Sequence, residues 1–274
     1  MSTTTQARQP GGSPASAGGR YAPTALPETG TTLTVEAPGA IPGYVPGVGV
    51  TVTLSTSDAA RAVHADLAGL PANVTGYDLE TDNSAGFGLD PTQGQITELV
   101  LVNGAQTIVL SGDERHILQG LADYLNARPA GEELDAWNSH GFDIPFLGRR
   151  GDLHGEHLTG WGLALHDSAV PGTFHTVGGF DQPQGLTWTT PAGGTHRDVD
   201  VMLTIKNAKL RGRGQLGLKP TARAFGAEPI ELDRTRLHEY TPQERTEYVA
   251  SDGLVTLHNR MHAQRLIEAT TSAN

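Results

Sequence analysis

Three short stretches of this chain carry side chains that could act on a bond. In Tyr77-Asp78-Leu79-Glu80-Thr81, two carboxylates stand two positions apart at the end of an apolar run. Side chains of a strand alternate between faces, so Asp78 and Glu80 project to one side and Tyr77 and Leu79 to the other. Carboxylates this close repel one another unless a cation sits between them. Hard oxygen donors of that kind suit Mg²⁺ or Mn²⁺. Taken alone, a solvated strand end is the simpler reading of an Asp-x-Glu pair.

The second stretch runs from Trp137 to Leu147 and holds Asn138, Phe142 and Asp143. Asp143 falls just after a short buried strand, where a helix opens, and an Asp there serves equally well as a helix-starting residue. The third is Tyr248-Val249-Ala250-Ser251-Asp252. A spacing of four puts the phenol and the carboxylate one turn apart on the same helical face. By itself, that stretch reads as an ordinary helix with a half-buried tyrosine.

The elements that must position these residues are legible as patterns. Val50 to Leu54 is β-prone, and Ser57 is placed to cap a helix carrying Ala60, Val63, Leu67 and Leu70, stopped by Pro71. Val74 to Glu80 reads as a strand. Ile96 to Val102 and Thr107 to Leu110 flank Asn103-Gly104, a strong hairpin signal. A helix is expected from Glu114 to Arg128, with Ile117, Leu118, Leu121 and Leu125 on one face. Then come a strand at Leu134 to Trp137, a helix from Phe142 to about Gly151, and an apolar strand at Val199 to Ile205. Leu216 to Phe225 and Pro242 to Leu266 read as helical. The expectation is an α/β domain with a mixed five-to-six-stranded sheet flanked by helices.

Composition bounds the rest. The chain has 274 residues, 37% of them hydrophobic, with 35 Gly, 17 Pro and no Cys. Residues 1–48 are rich in Gly, Pro, Ser and Thr and lack any period, so they read as a disordered tail ahead of a domain at 49–270. Without cysteine there is no disulfide, thiolate zinc site or thiol nucleophile, and a reducing compartment fits. No stretch approaches the roughly 20 apolar residues that cross a bilayer. No secretory signal is evident, so a cytoplasmic location and no membrane partner are expected. A net charge of −11 argues against coating nucleic acid by bulk electrostatics.

As an ordered set, the three stretches resemble the motifs of the DEDD superfamily of 3′–5′ exonucleases, which have a ribonuclease H-like fold. The likeness is nearest to the proofreading exonuclease domains of family-B DNA polymerases. It rests on Asp78-Leu79-Glu80-Thr81, on Asn138 to Asp143 continued by Pro145-Phe146-Leu147, on Asp198-Val199-Asp200 and on Tyr248 to Asp252, and spans residues 70 to 265. A histidine-type member would carry His at position 247, where this chain has Glu247, so the tyrosine subtype (DEDDy) is indicated.

The resemblance implies hydrolysis of phosphodiesters from a single-stranded 3′ end, with DNA favoured over RNA, releasing nucleoside 5′-monophosphates. It implies two Mg²⁺ or Mn²⁺ ions about 3.5–4 Å apart. Asp78, Glu80 and Asp252 would hold the first. Asp78 would share the second, with Asp143 acting through waters. Tyr248 would orient the attacking water, and Thr81, Asn138 and Phe142 match positions that line the terminal nucleotide's pocket. Phe142 is equally readable as core. No polymerase domain is expected after residue 270, and a polymerase or repair partner in trans would fit. The Gly-rich stretch 151–195 aligns with nothing and reads as an insertion.

A run free of acids from Val201 to Ala227 holds Lys206, Lys209, Arg211, Arg213, Lys219 and Arg223, which could guide a phosphate backbone or form a solvated face. Arg149 and Arg150 are a weaker instance. His154, His157, His166 and His175 fit no standard zinc spacing and read as surface residues. There is no Walker loop. An exoribonuclease, or a catalytically silent nucleic-acid-binding module, are the competing readings.

Overall fold

The computed structural model describes residues 49–82, 90–92, 94–153, 164–167, 186–189, 195–211, 215–233 and 240–272. Within them the order is β1 (Gly49–Ser55), α1 (Thr56–Ala62), β2 (Val74–Asp82), β3 (Gln95–Val102), β4 (Gln106–Gly112), α2 (Glu114–Ala127), β5 (Glu133–Ala136), α3 (Asp143–Leu153), β6 (Ala164–Asp167), β7 (Leu186–Thr189), β8 (Thr195–Asp200), α4 (Val201–Asn207), α5 (Leu218–Ala224) and α6 (Pro242–Ser272). The strands form one mixed sheet in the order β1-β4-β3-β2-β5-β8-β7-β6. β2 pairs antiparallel with β3 and parallel with β5, and β5 pairs parallel with β8. This is the mixed α/β sheet with flanking helices that was expected, compatible with a ribonuclease H-like fold, with the antiparallel β6–β7 pair adding two strands from the stretch read as an insertion.

Both sheet faces are covered, as parallel pairing requires. On β3, Leu99 and Leu101 enter one core with Ile117, Leu121 and Leu125 of α2 and Ile144, Phe146 and Leu147 of α3. Val100 and Val102 enter a second core on the opposite face, with Val249, Leu254, Val255 and Leu257 of α6. Alternation along one strand therefore decides which helix each side chain meets. The β3–β4 turn is closed by Asn103, whose Oδ1 accepts from the amides of Ala105 and Gln106, each at 2.9 Å.

Three local expectations are corrected. The cap of α1 is Ser55, whose side chain accepts from the Asp58 amide, and not Ser57. The helix ends at Ala62 rather than running to Leu70, because His64 adopts φ 51 and the Asp66 amide is drawn to His258 Nδ1 at 2.9 Å. The strand expected at 199–205 ends at Asp200. The Asp200 carboxylate accepts from the Leu203 amide and starts α4 there, so a capping bond outweighs the apolar run. Residues 1–48, with the tail reading, lie outside the described residues. So do His154, His157, His175 and Arg213, and the side chain of His166 is likewise undescribed.

Candidate metal centre

Ligand atoms of Asp78, Glu80 and Asp252 lie within 4.8 Å of one another. Two elements bring them there. Gly76, Asp78 and Glu80 share the α6 face of β2 by strand alternation. Asp78 stands opposite Val100 of β3 and Glu80 opposite Glu98, with a bulge between Glu80 and Thr81. Helix α6 then lies unusually close over this spot, and glycines make that approach fit. A Cβ on Gly76 would sit 2.6 Å from Leu257 Cγ, and one on Gly253 would sit 2.8 Å from both Val100 Cγ1 and Val102 Cγ2. Asp252, next to Gly253, is thereby carried down to the strand carboxylates.

Every α6 position from Tyr248 to Asn259 is buried, because the sheet packs on one side and α1, α4 and α5 on the others. Glu80 is 5% exposed and Asp252 is at 0%, whereas Asp78 is only half-buried. Buried carboxylates need counter-charge. Lys219 of α5 supplies some of it: its Nζ lies 3.1 Å from Asp252 Oδ1, donates to the Ile230 carbonyl at 2.8 Å, and sits 3.8 Å above the Tyr248 ring. On the other side, Arg245 of α6 pairs with Glu98, the cross-strand neighbour of Glu80. Three all-oxygen ligands at this spacing fit a hard divalent cation.

Asp143 does not join the convergence of these three within 4.8 Å. It is 1% exposed at the start of α3, and neither carboxylate oxygen has a hydrogen-bond partner of good geometry. Burial, then the nearby Asp198 and Asp200 charges, push its carboxyl well above the ordinary range; its own amide and that of Leu79 pull the other way. Asp200 is itself pushed up to about 6, chiefly by burial. Thr81 is buried at the end of β2, and Asn138 and Phe142 are half-buried on the loop before α3. Phe142 packs on Phe146 with ring centres 5.4 Å apart and borders the core, which accords with its core reading.

Lys219 corrects an expectation: grouped with a basic surface run, it is 5% exposed and part of the acidic centre. Its only sequence signal was position in a short helix among small buried residues, Thr221 and Ala222. Arg150, read as a weak surface cation, is instead buried in an ion pair with Glu114 at 2.6 Å. Arg223 pairs with Glu231. Glu98 and Arg245 carried no signal, since only the β2–β3 register places Glu98 beside Glu80.

No described helix is long and apolar enough to cross a membrane. No family model matches this chain, and no curated protein matches it. Among solved structures, it is similar to the family B DNA polymerase from the hyperthermophilic archaeon Pyrobaculum calidifontis, at 20% identity and a TM-score of 0.49. The match covers 71% of this chain and 24% of that one, so the chain spans about a quarter of that polymerase's length.

Proposed function

We propose that this chain is a metal-dependent 3′–5′ exonuclease of the DEDDy type, removing nucleoside 5′-monophosphates from single-stranded DNA ends. The observation that carries the reading is the convergence of Asp78, Glu80 and Asp252 within 4.8 Å, with Tyr248 one helical turn away. Asp78, Glu80 and Asp252 would hold a divalent cation, and Asp78 would share a second, with Asp143 acting through bound waters. Mg²⁺ or Mn²⁺ bound there supplies an activated water and neutralises charge developing on the leaving oxygen.

The chain's own groups do the remaining work. The Tyr248 hydroxyl orients the attacking water along the line of the scissile bond. Thr81, Asn138 and Phe142 receive the terminal nucleotide and hold its phosphate over the carboxylates. Lys219 keeps Asp252 and Tyr248 in register and counters the charge of the centre. A polymerase or repair protein acting in trans would deliver the 3′ end.

The test is digestion of 5′-labelled single-stranded DNA and the matching RNA with Mg²⁺, Mn²⁺ or EDTA, with Asp78→Ala alongside. A ladder shortening stepwise from the 3′ end, dependent on metal and lost in the variant, is the expected result. Cleavage of RNA alone would reassign the substrate. A folded protein that cuts neither polymer would leave a nucleic-acid-binding module.

A further inference from the structure

The opposite face of β2 carries a polar network that the proposed chemistry does not use. At its centre is Asp198 of β8, 1% exposed. Its Oδ2 accepts from Tyr77 Oη at 2.7 Å and from Trp188 Nε1 at 3.0 Å. Its Oδ1 accepts from Ser139 Oγ at 2.7 Å, and His140 Nε2 lies 3.3 Å from the same oxygen. These groups come from β2, from β7, and from two successive residues of the loop between β5 and α3. A carboxylate is the acceptor such a site needs, because it receives bonds at both oxygens and donates none.

That loop is the one that presents Asp143, and its backbone is held away from its easiest shape. Asn138 adopts φ 62, the left-handed region that most residues avoid and that Gly and Asn enter most easily. A Cβ at Gly141 would meet Asn138 Oδ1 at 2.6 Å, so the turn is tight as well. Asp200 grips the loop's amides, accepting from Asn138 at 3.2 Å and from His140 at 3.4 Å. Asp198 grips its side chains. Asp143 itself has only its own amide and that of Leu79 near its carboxylate, neither in good hydrogen-bond geometry.

We infer that Asp198 is the positioning residue of the 138–143 loop, setting where Asp143 presents its carboxylate, and that Trp188 ties the β6–β7 hairpin into the same setting. The consequence for cleavage rests on the exonuclease reading; the mechanical claim does not. In Asp198→Asn, the size is kept but an amide nitrogen must face two donors. Hydrogen exchange at the amides of Ser139 to Asp143 should then quicken while the α2 amides stay protected. Where 5′-labelled single-stranded DNA is cut in Mn²⁺, kcat should fall roughly 10–100-fold with KM unchanged, as for other groups that orient a ligand from behind.

Asp143→Asn should cost less in the Asp198→Asn background than in the native chain, since both changes disable the same carboxylate. Simple loss of stability would make the two losses multiply. Trp188→Phe, which removes a single donor, is the milder variant and should lie between. Unchanged exchange at residues 139–143 in Asp198→Asn and Trp188→Phe would overturn the inference, as would multiplicative losses. If the native protein cuts neither polymer, the exonuclease reading fails and the exchange measurement still decides the role of Asp198.

Discussion

The ammonium of Lys219 lies 3.1 Å from Asp252 Oδ1, with both groups almost wholly buried. A divalent cation at the carboxylate trio and this ammonium would serve the same carboxylate. Removing one partner of a buried pair strands the other charge, at a cost of about 3–5 kcal/mol. Lys219→Met should therefore lower the melting temperature in EDTA, and Mn²⁺ should restore more of it in the variant than in the native chain. Equal Mn²⁺ shifts in both proteins would mean that the ammonium and the cation do not share Asp252.

Gly253→Ala sets helix propensity against packing. The exchange favours the helix by up to about 1 kcal/mol. Its methyl, however, would stand 2.8 Å from two valine side chains that have little freedom to give way. Overpacking of this kind costs about 1–3 kcal/mol, so the net effect should be destabilising in urea. Because α6 must rise off the sheet to relieve it, Mn²⁺ affinity measured by calorimetry should fall as well.

Asp200 gives the chain an inverted pH signature. Its carboxyl is raised from 3.8 to about 6, so between these values the folded state keeps a proton that the unfolded state has lost. Stability from this group is full below pH 3.8, falls as pH rises, and is lost above about 6, amounting to about 3 kcal/mol. Asp200→Asn can still cap α4 through its carbonyl oxygen and should lack that decline. Urea titrations in EDTA from pH 4 to 7 compare the two profiles.

His258 acts in the opposite sense. Its Nδ1 accepts from the Asp66 amide at 2.9 Å and its Nε2 faces the Phe225 carbonyl at 3.2 Å, an arrangement that needs the neutral ring with its proton on Nε2. Burial lowers its pKa from 6.5. Its contribution is present above pH 6.5 and is lost as pH falls through the lowered value. His258→Asn should therefore gain on the native chain as pH falls below 6.5, read as the difference between their urea profiles.

Most strands and helices, and the residues that share a face of one element, were legible as local patterns. Asp78 and Glu80 share a strand face, and Tyr248 and Asp252 share a helix turn, because periods of 2 and 3.6 are local properties of the backbone. The hairpin at Asn103 and helix α2 were legible for the same reason. The β6–β7 hairpin was not, since neither four-residue strand has enough length for a period to emerge from a Gly-rich stretch. That Asp252 reaches Asp78 and Glu80 came from the fold, because it depends on how close α6 can lie, and two glycines on different elements set the distance. The fold also placed Lys219 in the acidic centre, Glu98 beside Glu80, and the Asp198 and Asp200 charges near Asp143. Each of these pairings joins residues from separate elements, and a one-dimensional pattern carries no information about which burial partner a charge will find.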